Sequence, residues 1–243
     1  MTAWQPAPDR VSLAPGTVDI WRTRLDLPPS RIQSYRDLLS AQELARAERF
    51  RGRRKQREYV ISRGLLRALL GQALDCDPAS VEFSYSAHNK PMILSPAGRP
   101  RLGFNVTHSH EQTLIALCPG QDVGIDVEQL RTNLEFRKLA TRFFSTREAA
   151  ELETYTEVGI PQAFFACWTR KESFVKALGE GIAFGLSEFS VSVDPYQERV
   201  ELQTHWDESF AAGWTIMNIG MGPEYAAAFA VNLPDCRVCC WQL

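Results

Sequence analysis

The chain reads as an α+β protein built from two similar halves. Three observations predict this. Helix-like and strand-like segments follow one another without regular βαβ alternation. A helical stretch leading into a short strand with a Glu-Phe-Ser core occurs twice, around Glu82-Phe83-Ser84 and around Glu188-Phe189-Ser190. The 243 residues, 44% of them hydrophobic, suffice for one large domain or two small ones with a sizeable core. The break between halves falls near Pro119-Gly120, giving residues 1–120 and 121–243, with the cleft between them as the natural ligand site.

The elements follow in order. Residues 18–25 alternate enough for a strand, which the prolines at 28 and 29 end. Helical patterns cover 31–39 and 42–50. A longer one covers 53–70, with Val60, Ile61, Leu65, Leu66 and Leu69 at helical spacing. Asp77-Pro78 marks a turn and 81–85 a strand. Residues 87–103, with Pro91, Pro96, Gly98 and Pro100, read as a loop. Three short strands are expected at 104–107, 113–118 and 123–128, then a helical block at 134–153 interrupted near Ser145. A helix over 162–178 carries an apolar stripe of Phe164, Phe165, Trp168, Val175 and Leu178, and Gly179, Gly181 and Gly185 end it. The remainder is strand-rich, at 189–193, 200–203, 214–219, 225–231 and 237–242.

Composition narrows the function. With 27 basic against 29 acidic residues the net charge is −2, so the global basic field of a dedicated nucleic-acid binder is missing. No apolar run reaches the length of a membrane span, and the first residues show no secretory pattern, so no membrane partner and a cytoplasmic setting are expected. The six cysteines suit that setting as free thiols. Cys236-x-x-Cys239-Cys240 finds no second pair at zinc-ligand spacing and reads as small side chains on a last strand.

Several groups carry chemistry. In the helix at 162–178, Lys171 and Glu172 lie on or beside the apolar stripe, although desolvating a charge there is costly without compensation. Glu172 and Lys176 are four apart and project to one side. In the strand at 123–128, Asp126 and Glu128 point away from Val123, Ile125 and Val127. Two carboxylates about 7 Å apart along a strand repel unless a cation lies between them. Oxygen ligands beside a phosphate suit Mg²⁺, and a solvated strand face is the competing reading. Thr107, His108 and Ser109 end another strand with groups able to hold phosphate oxygens. Ser145-Thr146-Arg147-Glu148 fits a helix capping box, which accounts for Glu148 without function. Asn89-Lys90-Pro91 is a basic loop. The stretch 46–67 is rich in arginine, mostly as a solvated face, with Arg63 best placed to meet an anion. Together these residues suit phosphoryl or pyrophosphate chemistry.

Phe104–Ser109 (FNVTHS), 124–128 (GIDVE), 142–148 (RFFSTRE) and 168–182 (WTRKESFVKALGEGI) resemble the ordered motifs of the 4′-phosphopantetheinyl transferases, and the two-half layout resembles the larger, Sfp-type members. The resemblance covers about 39–193. It implies two halves related by a pseudo-twofold, each a small antiparallel sheet packed on helices. The N-terminal half would contact the coenzyme A nucleotide, and the C-terminal half would carry the Mg²⁺ site and catalytic helix. The implied reaction transfers 4′-phosphopantetheine from coenzyme A to a serine of an apo acyl or peptidyl carrier protein and releases adenosine 3′,5′-bisphosphate. Such carriers serve fatty-acid, polyketide or nonribosomal-peptide synthesis. By motif, Asp126, Glu128 and Glu172 would hold Mg²⁺; Glu172, or a carboxylate working through a metal-bound water, would deprotonate the serine, with Glu148 assisting as ligand or base. Lys176 would neutralise the leaving bisphosphate, Thr107 and His108 would bind coenzyme A phosphate, and Lys171 would contact phosphate. Lys90 and Pro91 match the loop that packs on adenine, although His88-Asn89 replaces the usual Tyr-Gly before them. Arg57 and Arg63 are candidate 3′-phosphate contacts, and a monomer is expected. Two other readings use the same residues: a Mg²⁺-dependent phosphodiesterase or nuclease, and a non-catalytic module that binds coenzyme A or a carrier.

Overall fold

In a computed structural model the described residues are 3–94, 101–181, 184–204 and 206–243. The Pro96, Gly98 and Pro100 part of the expected loop, and Ile182 of the helix motif, lie outside them. In chain order the strands and helices begin with β1 (Gln5–Pro6), β2 (Thr17–Arg24), α1 (Pro29–Arg36), α2 (Ala41–Glu48) and α3 (Arg53–Leu74). Next come β3 (Phe83–Tyr85), β4 (Pro91–Ile93), β5 (Leu102–Ser109), β6 (Gln112–Pro119) and β7 (Val123–Gln129). Then follow α4 (Phe136–Phe143), α5 (Thr146–Leu152), α6 (Ile160–Leu178), β8 (Phe189–Ser190), β9 (Arg199–Val200) and β10 (Gln203–Thr204). The chain closes with α7 (Glu208–Ala212), β11 (Thr215–Asn218), β12 (Tyr225–Val231) and β13 (Arg237–Gln242). No described helix is long and apolar enough to cross a membrane.

The architecture is α+β. One sheet runs β1-β13-β2-β6-β5 and a second runs β7-β12-β11-β9, with small two-stranded ribbons at β3-β4 and β8-β10. The first sheet corrects two expectations. It is mixed rather than antiparallel, because β13 runs parallel to β2, with Val238 beside Val18. It also takes its inner strand β13 from the end of the chain, so a clean division at residue 120 does not describe the sheets. An apolar inner edge explains this: Val18 and Ile20 of β2 and Cys240 of β13 are all buried, and pairing satisfies their backbone.

The internal echo has a structural counterpart. Helix α3 ends in a left-handed residue, Asp75, and α6 ends in left-handed Gly179. A 3₁₀ turn follows each, Pro78–Ser80 and Leu186–Glu188, and each leads to a strand that opens on the phenylalanine of the repeated core, Phe83 or Phe189. The expected strand at 189–193 shortens to two residues, since Val191 donates its backbone N–H to a buried side chain instead of a ladder. Three elements lacked a sequence signal: β1, β4 and α7 are two, three and five residues long, below the length at which periodicity can be read.

Three apolar clusters hold these layers. Helices α1–α3 bury Tyr35, Ile61, Leu65 and Leu70 against Trp21 and Phe104 of the first sheet. Helices α4–α6 bury an aromatic group around Phe164, Phe165 and Phe174. The third cluster draws Ile20, Leu114 and Ala116 from one sheet and Ile125, Phe229 and Val231 from the other, so the halves share a core. One close approach positions the site: α6 crosses β7 at Gly124, where any Cβ would overlap the Ser173 carbonyl oxygen and the Ala177 nitrogen. Only glycine lets the helix lie this close to the strand, and Glu172 and Lys176 are carried in beside Asp126.

Candidate active site

The site lies at a seam between two edge strands. Strand β5 ends the first sheet and β7 begins the second. They are joined by side chains rather than by a backbone ladder. The alternation of β5 sends Asn105, Thr107 and Ser109 to the β7 side while Phe104 and Val106 join the opposite core. Asn105 Oδ1 accepts from the Ile125 N–H at 3.0 Å, and Ser109 Oγ accepts from the Gln129 N–H at 3.0 Å. Between these two anchors Thr107 Oγ1 donates to Asp126 Oδ1 at 3.2 Å, and Ser109 Oγ donates to Glu128 Oε2 at 3.1 Å.

Helix α6 supplies the rest. Lys176 Nζ lies 2.5 Å from Asp126 Oδ1 and 3.3 Å from the Ile125 carbonyl oxygen. Asp126 is buried, and its second oxygen, Oδ2, has no hydrogen-bond partner. Burial pushes the Asp126 carboxyl above its ordinary value, against the pull of Lys176 and Thr107. Burial likewise raises Glu128, and the Asp126 charge raises it further. Glu172 is raised by burial too; Lys176 lowers it, while Asp126 and Glu128 raise it. The three acids therefore feel one another and share one lysine.

Do these residues fit a divalent cation? Among the described residues no three acidic, histidine or cysteine side chains close to ligand spacing. The donor set nevertheless fits. A buried carboxylate oxygen without a partner is costly, and three mutually repelling carboxylates against one ammonium leave an excess of negative charge. All-oxygen donors of this kind suit Mg²⁺. Asp126, Glu128 and Glu172 are the residues that would hold it.

Raised carboxyl groups also fix the sign of a pH dependence. Each binds its proton more tightly folded than unfolded, so its contribution to stability is present below the ordinary values of 3.8 and 4.5 and is lost as pH rises through the raised range. A cation held there would compete for the same oxygens and remove the high-pH penalty. At a hundred times its dissociation constant it adds about 2.7 kcal/mol, or roughly 5–10 °C in Tm for a chain of this size. Thermal scans with and without Mg²⁺ should show this rise near neutral pH, shrinking towards zero as pH falls to about 4. An equal rise at both ends of the range would count against the carboxylate site.

Other expected site residues lie elsewhere. Lys171 and Glu148 are fully buried, and Lys171 Nζ meets both Glu148 oxygens at 2.7 and 2.6 Å and the Phe189 carbonyl oxygen at 2.6 Å. Glu148 also accepts from the backbone N–H groups of Ser145 and Val191. Neither side chain reaches solvent, so the expectations of a phosphate contact at Lys171 and of base or ligand assistance from Glu148 are corrected: they form an internal strut. Thr107 donates to Asp126, and its side chain lies on the opposite face of the strand from that of His108. Arg57 donates to the Leu27 carbonyl oxygen and does not line the cavity beside His108. Arg63 is paired with Glu43 and stacks over Phe83, its guanidinium carbon 3.7 Å from the ring centre. Lys90 turns its ammonium to the Ala177 carbonyl oxygen.

His108 lies on the surface, on the wall of a cavity of about 470 Å³. Phe50, Tyr59, Tyr85 and Pro91 give this cavity flat apolar walls, and Arg46, Lys55 and Arg63 give it positive charge. A wider groove shares Arg46, Tyr59, Tyr85 and Asn89 with it. Such walls suit an aromatic base and its phosphates. Sequence reasoning missed Arg170, a buried guanidinium that donates to Asn218 Oδ1 and to the carbonyl oxygens of Ser192, Asp194 and Gln197. Burial lowers its pKa to about 10. It also missed the role of Asn105, which the polar alternation of Phe104–Ser109 could have revealed.

An α+β fold with acids and a lysine at an inter-sheet seam, and a basic and aromatic cavity lined by the next residue of the same strand, suits an enzyme that handles a phosphate-bearing substrate. Residues 122–230 match the 4′-phosphopantetheinyl transferase superfamily, and residues 28–120 match the family described as 4′-phosphopantetheinyl transferase, N-terminal. The chain is 36% identical to the 4′-phosphopantetheinyl transferase HetI of Nostoc sp. (strain PCC 7120), over 94% of this chain and 93% of that protein. It is 28% identical to the 4′-phosphopantetheinyl transferase Sfp of Bacillus subtilis (strain 168), over 89% and 93% of the two chains. A shorter match, 38% identical over 46% of this chain and 56% of the other, is to the 4′-phosphopantetheinyl transferase AcpT of Salmonella typhi. The chain belongs to the 4′-phosphopantetheinyl transferase superfamily, of the Sfp type, and is an enzyme that transfers phosphopantetheine to carrier proteins. The nuclease and non-catalytic readings find no support.

Proposed function

We propose that the enzyme takes 4′-phosphopantetheine from coenzyme A, with Mg²⁺ at the three carboxylates, and places it on a serine of an apo acyl or peptidyl carrier protein. The observation that carries this reading is the meeting of β7 and α6, where Lys176 contacts Asp126 while Asp126 Oδ2 remains without a partner. The adenosine end of coenzyme A enters the cavity beside Pro91 and Tyr85, with phosphate oxygens accepting from His108, Lys55 and Arg46. The diphosphate then lies towards the seam. Bound Mg²⁺ supplies charge neutralisation for the diphosphate.

The protein groups do the rest. Glu172 accepts the proton of the carrier serine as its oxygen attacks the phosphorus that bears pantetheine. The bond from that phosphorus to the bridging oxygen breaks, and adenosine 3′,5′-bisphosphate leaves. Lys176 stabilises the charge that gathers on the leaving oxygen. Thr107 and Lys176 hold Asp126, and Ser109 holds Glu128, so the carboxylates need little reorganisation. In this reading the chain works as a cytoplasmic monomer.

The direct test is to incubate the protein with coenzyme A, Mg²⁺ and a panel of apo carriers from fatty-acid, polyketide and nonribosomal-peptide synthesis, and to weigh the carriers. A phosphopantetheine mass gain that requires the carrier serine supports the reading; no gain on any carrier overturns it. His108→Ala should weaken coenzyme A binding by about ten-fold or more, the loss of one charge-assisted hydrogen bond, and slow the bound-state reaction less. Calorimetry with coenzyme A alone checks this, and equal affinity in mutant and parent would remove His108 from the nucleotide site.

A further inference from the structure

The loop at 89–91 divides its side chains between two places. Asn89 and Pro91 line the cavity beside His108. Lys90, between them, points elsewhere: its ammonium donates to the Ala177 carbonyl oxygen at 3.0 Å and lies 3.9 Å from Asp122. Its side chain is only 12% exposed. Ala177 is in the last turn of α6, next to Lys176, and Asp122 immediately precedes β7, the strand of Asp126. One cation therefore bears on both elements that meet at the catalytic seam.

The physics favours this position. The last carbonyls of a helix lack N–H partners and carry the negative end of its dipole, so an ammonium there satisfies an acceptor and a charge together. Gly179 makes the approach possible. It is left-handed at φ 78°, and even a Cβ there would lie 3.2 Å from Lys90 Cδ. Next to it, Gly181 faces His88, 3.7 Å from its Cβ. The loop is thus laid along the end of α6, with its other edge on the cavity.

We propose that Lys90 is a positioning residue that couples the nucleotide cavity to the register of α6 on β7, the register in which Lys176 meets Asp126. Its kinetic consequence rests on the coenzyme A reading above; its structural consequence does not. The test compares wild type, Lys90→Met and Lys90→Arg by coenzyme A affinity, by kcat with an apo carrier, and by amide hydrogen exchange. Lys90→Met should lower kcat by about 10- to 100-fold, as a small misplacement of reacting groups does. Coenzyme A affinity should change by less than about twofold. Exchange should quicken at 173–178 and 122–126 and nowhere else. Lys90→Arg, whose guanidinium still reaches the carbonyl, should recover most of kcat. Coenzyme A should slow exchange at 173–178 in wild type but not in Lys90→Met.

Three results would overturn the proposal. One is a loss of coenzyme A affinity of about ten-fold with kcat at saturation unchanged, which marks a nucleotide contact. Another is a folded Lys90→Met with kcat and exchange unaltered. The third is faster exchange throughout the chain, which marks a general structural role. If wild type modifies no carrier, the functional reading fails, and the exchange pattern alone decides Lys90.

Discussion

Asp126→Asn should abolish transfer, with a loss on the order of 10³-fold or more that excess Mg²⁺ does not restore. Asparagine has almost the same shape. It keeps an oxygen for the Thr107 hydroxyl and for Lys176, which contact Asp126 Oδ1 at 3.2 and 2.5 Å. What it lacks is the negative charge, and its amide nitrogen can only donate. The buried oxygen that now has no partner is the one a cation would use. The variant should fold, with a cation-free Tm close to wild type, because the substitution also removes a charge that burial disfavours. The rise in Tm on adding Mg²⁺ should disappear with the activity. Carrier mass spectrometry and thermal scans on the same preparation check both. Wild-type transfer by Asp126→Asn would refute the metal assignment, whatever the scans show.

Lys171→Met should have the largest effect on stability. Removing one partner of a buried ion pair leaves the other charge uncompensated, at a cost of about 3–5 kcal/mol. Glu148 would keep its two backbone donors but lose the ammonium that contacts both oxygens, in a fully buried position. Against a total stability of roughly 5–15 kcal/mol, that is about a fifth of the margin or more. The methionine stem fills similar volume, so packing changes little and the loss reports the charge. Urea denaturation followed by tryptophan fluorescence measures it. The result also separates two roles for Lys171. A phosphate ligand would lose coenzyme A affinity and keep its unfolding midpoint; an internal strut loses the midpoint and keeps affinity in the folded fraction.

Much of the fold was legible in the residues. The strands at 225–231 and 237–242 fall at the expected bounds, and α3, α5 and α6 start or end within a few residues of theirs. The capping box at Ser145 forms as written, with Glu148 Oε2 accepting from the Ser145 N–H. The parallel pairing of β13 was not legible, because a strand's partner depends on which edge is left open when the rest has folded, and alternation is silent on that.

The site divides in the same way. Local spacing by itself determined that Asp126 and Glu128 share one face of a strand and that Glu172 and Lys176 share one side of a helix, since the periods of 2 and 3.6 are properties of the backbone. It also supplied the motif resemblance that the family comparison confirms. Whether a charged side chain meets ligand or interior was decided only by tertiary structure. Lys171 and Lys176 sit on one helix, five residues apart, both near its apolar stripe. One is enclosed by α5 and β8 and becomes a strut; the other emerges beside β7, where Gly124 admits the helix, and meets Asp126. The free energy of a charge depends on what surrounds it in all directions, and a sequence specifies only its neighbours along the chain.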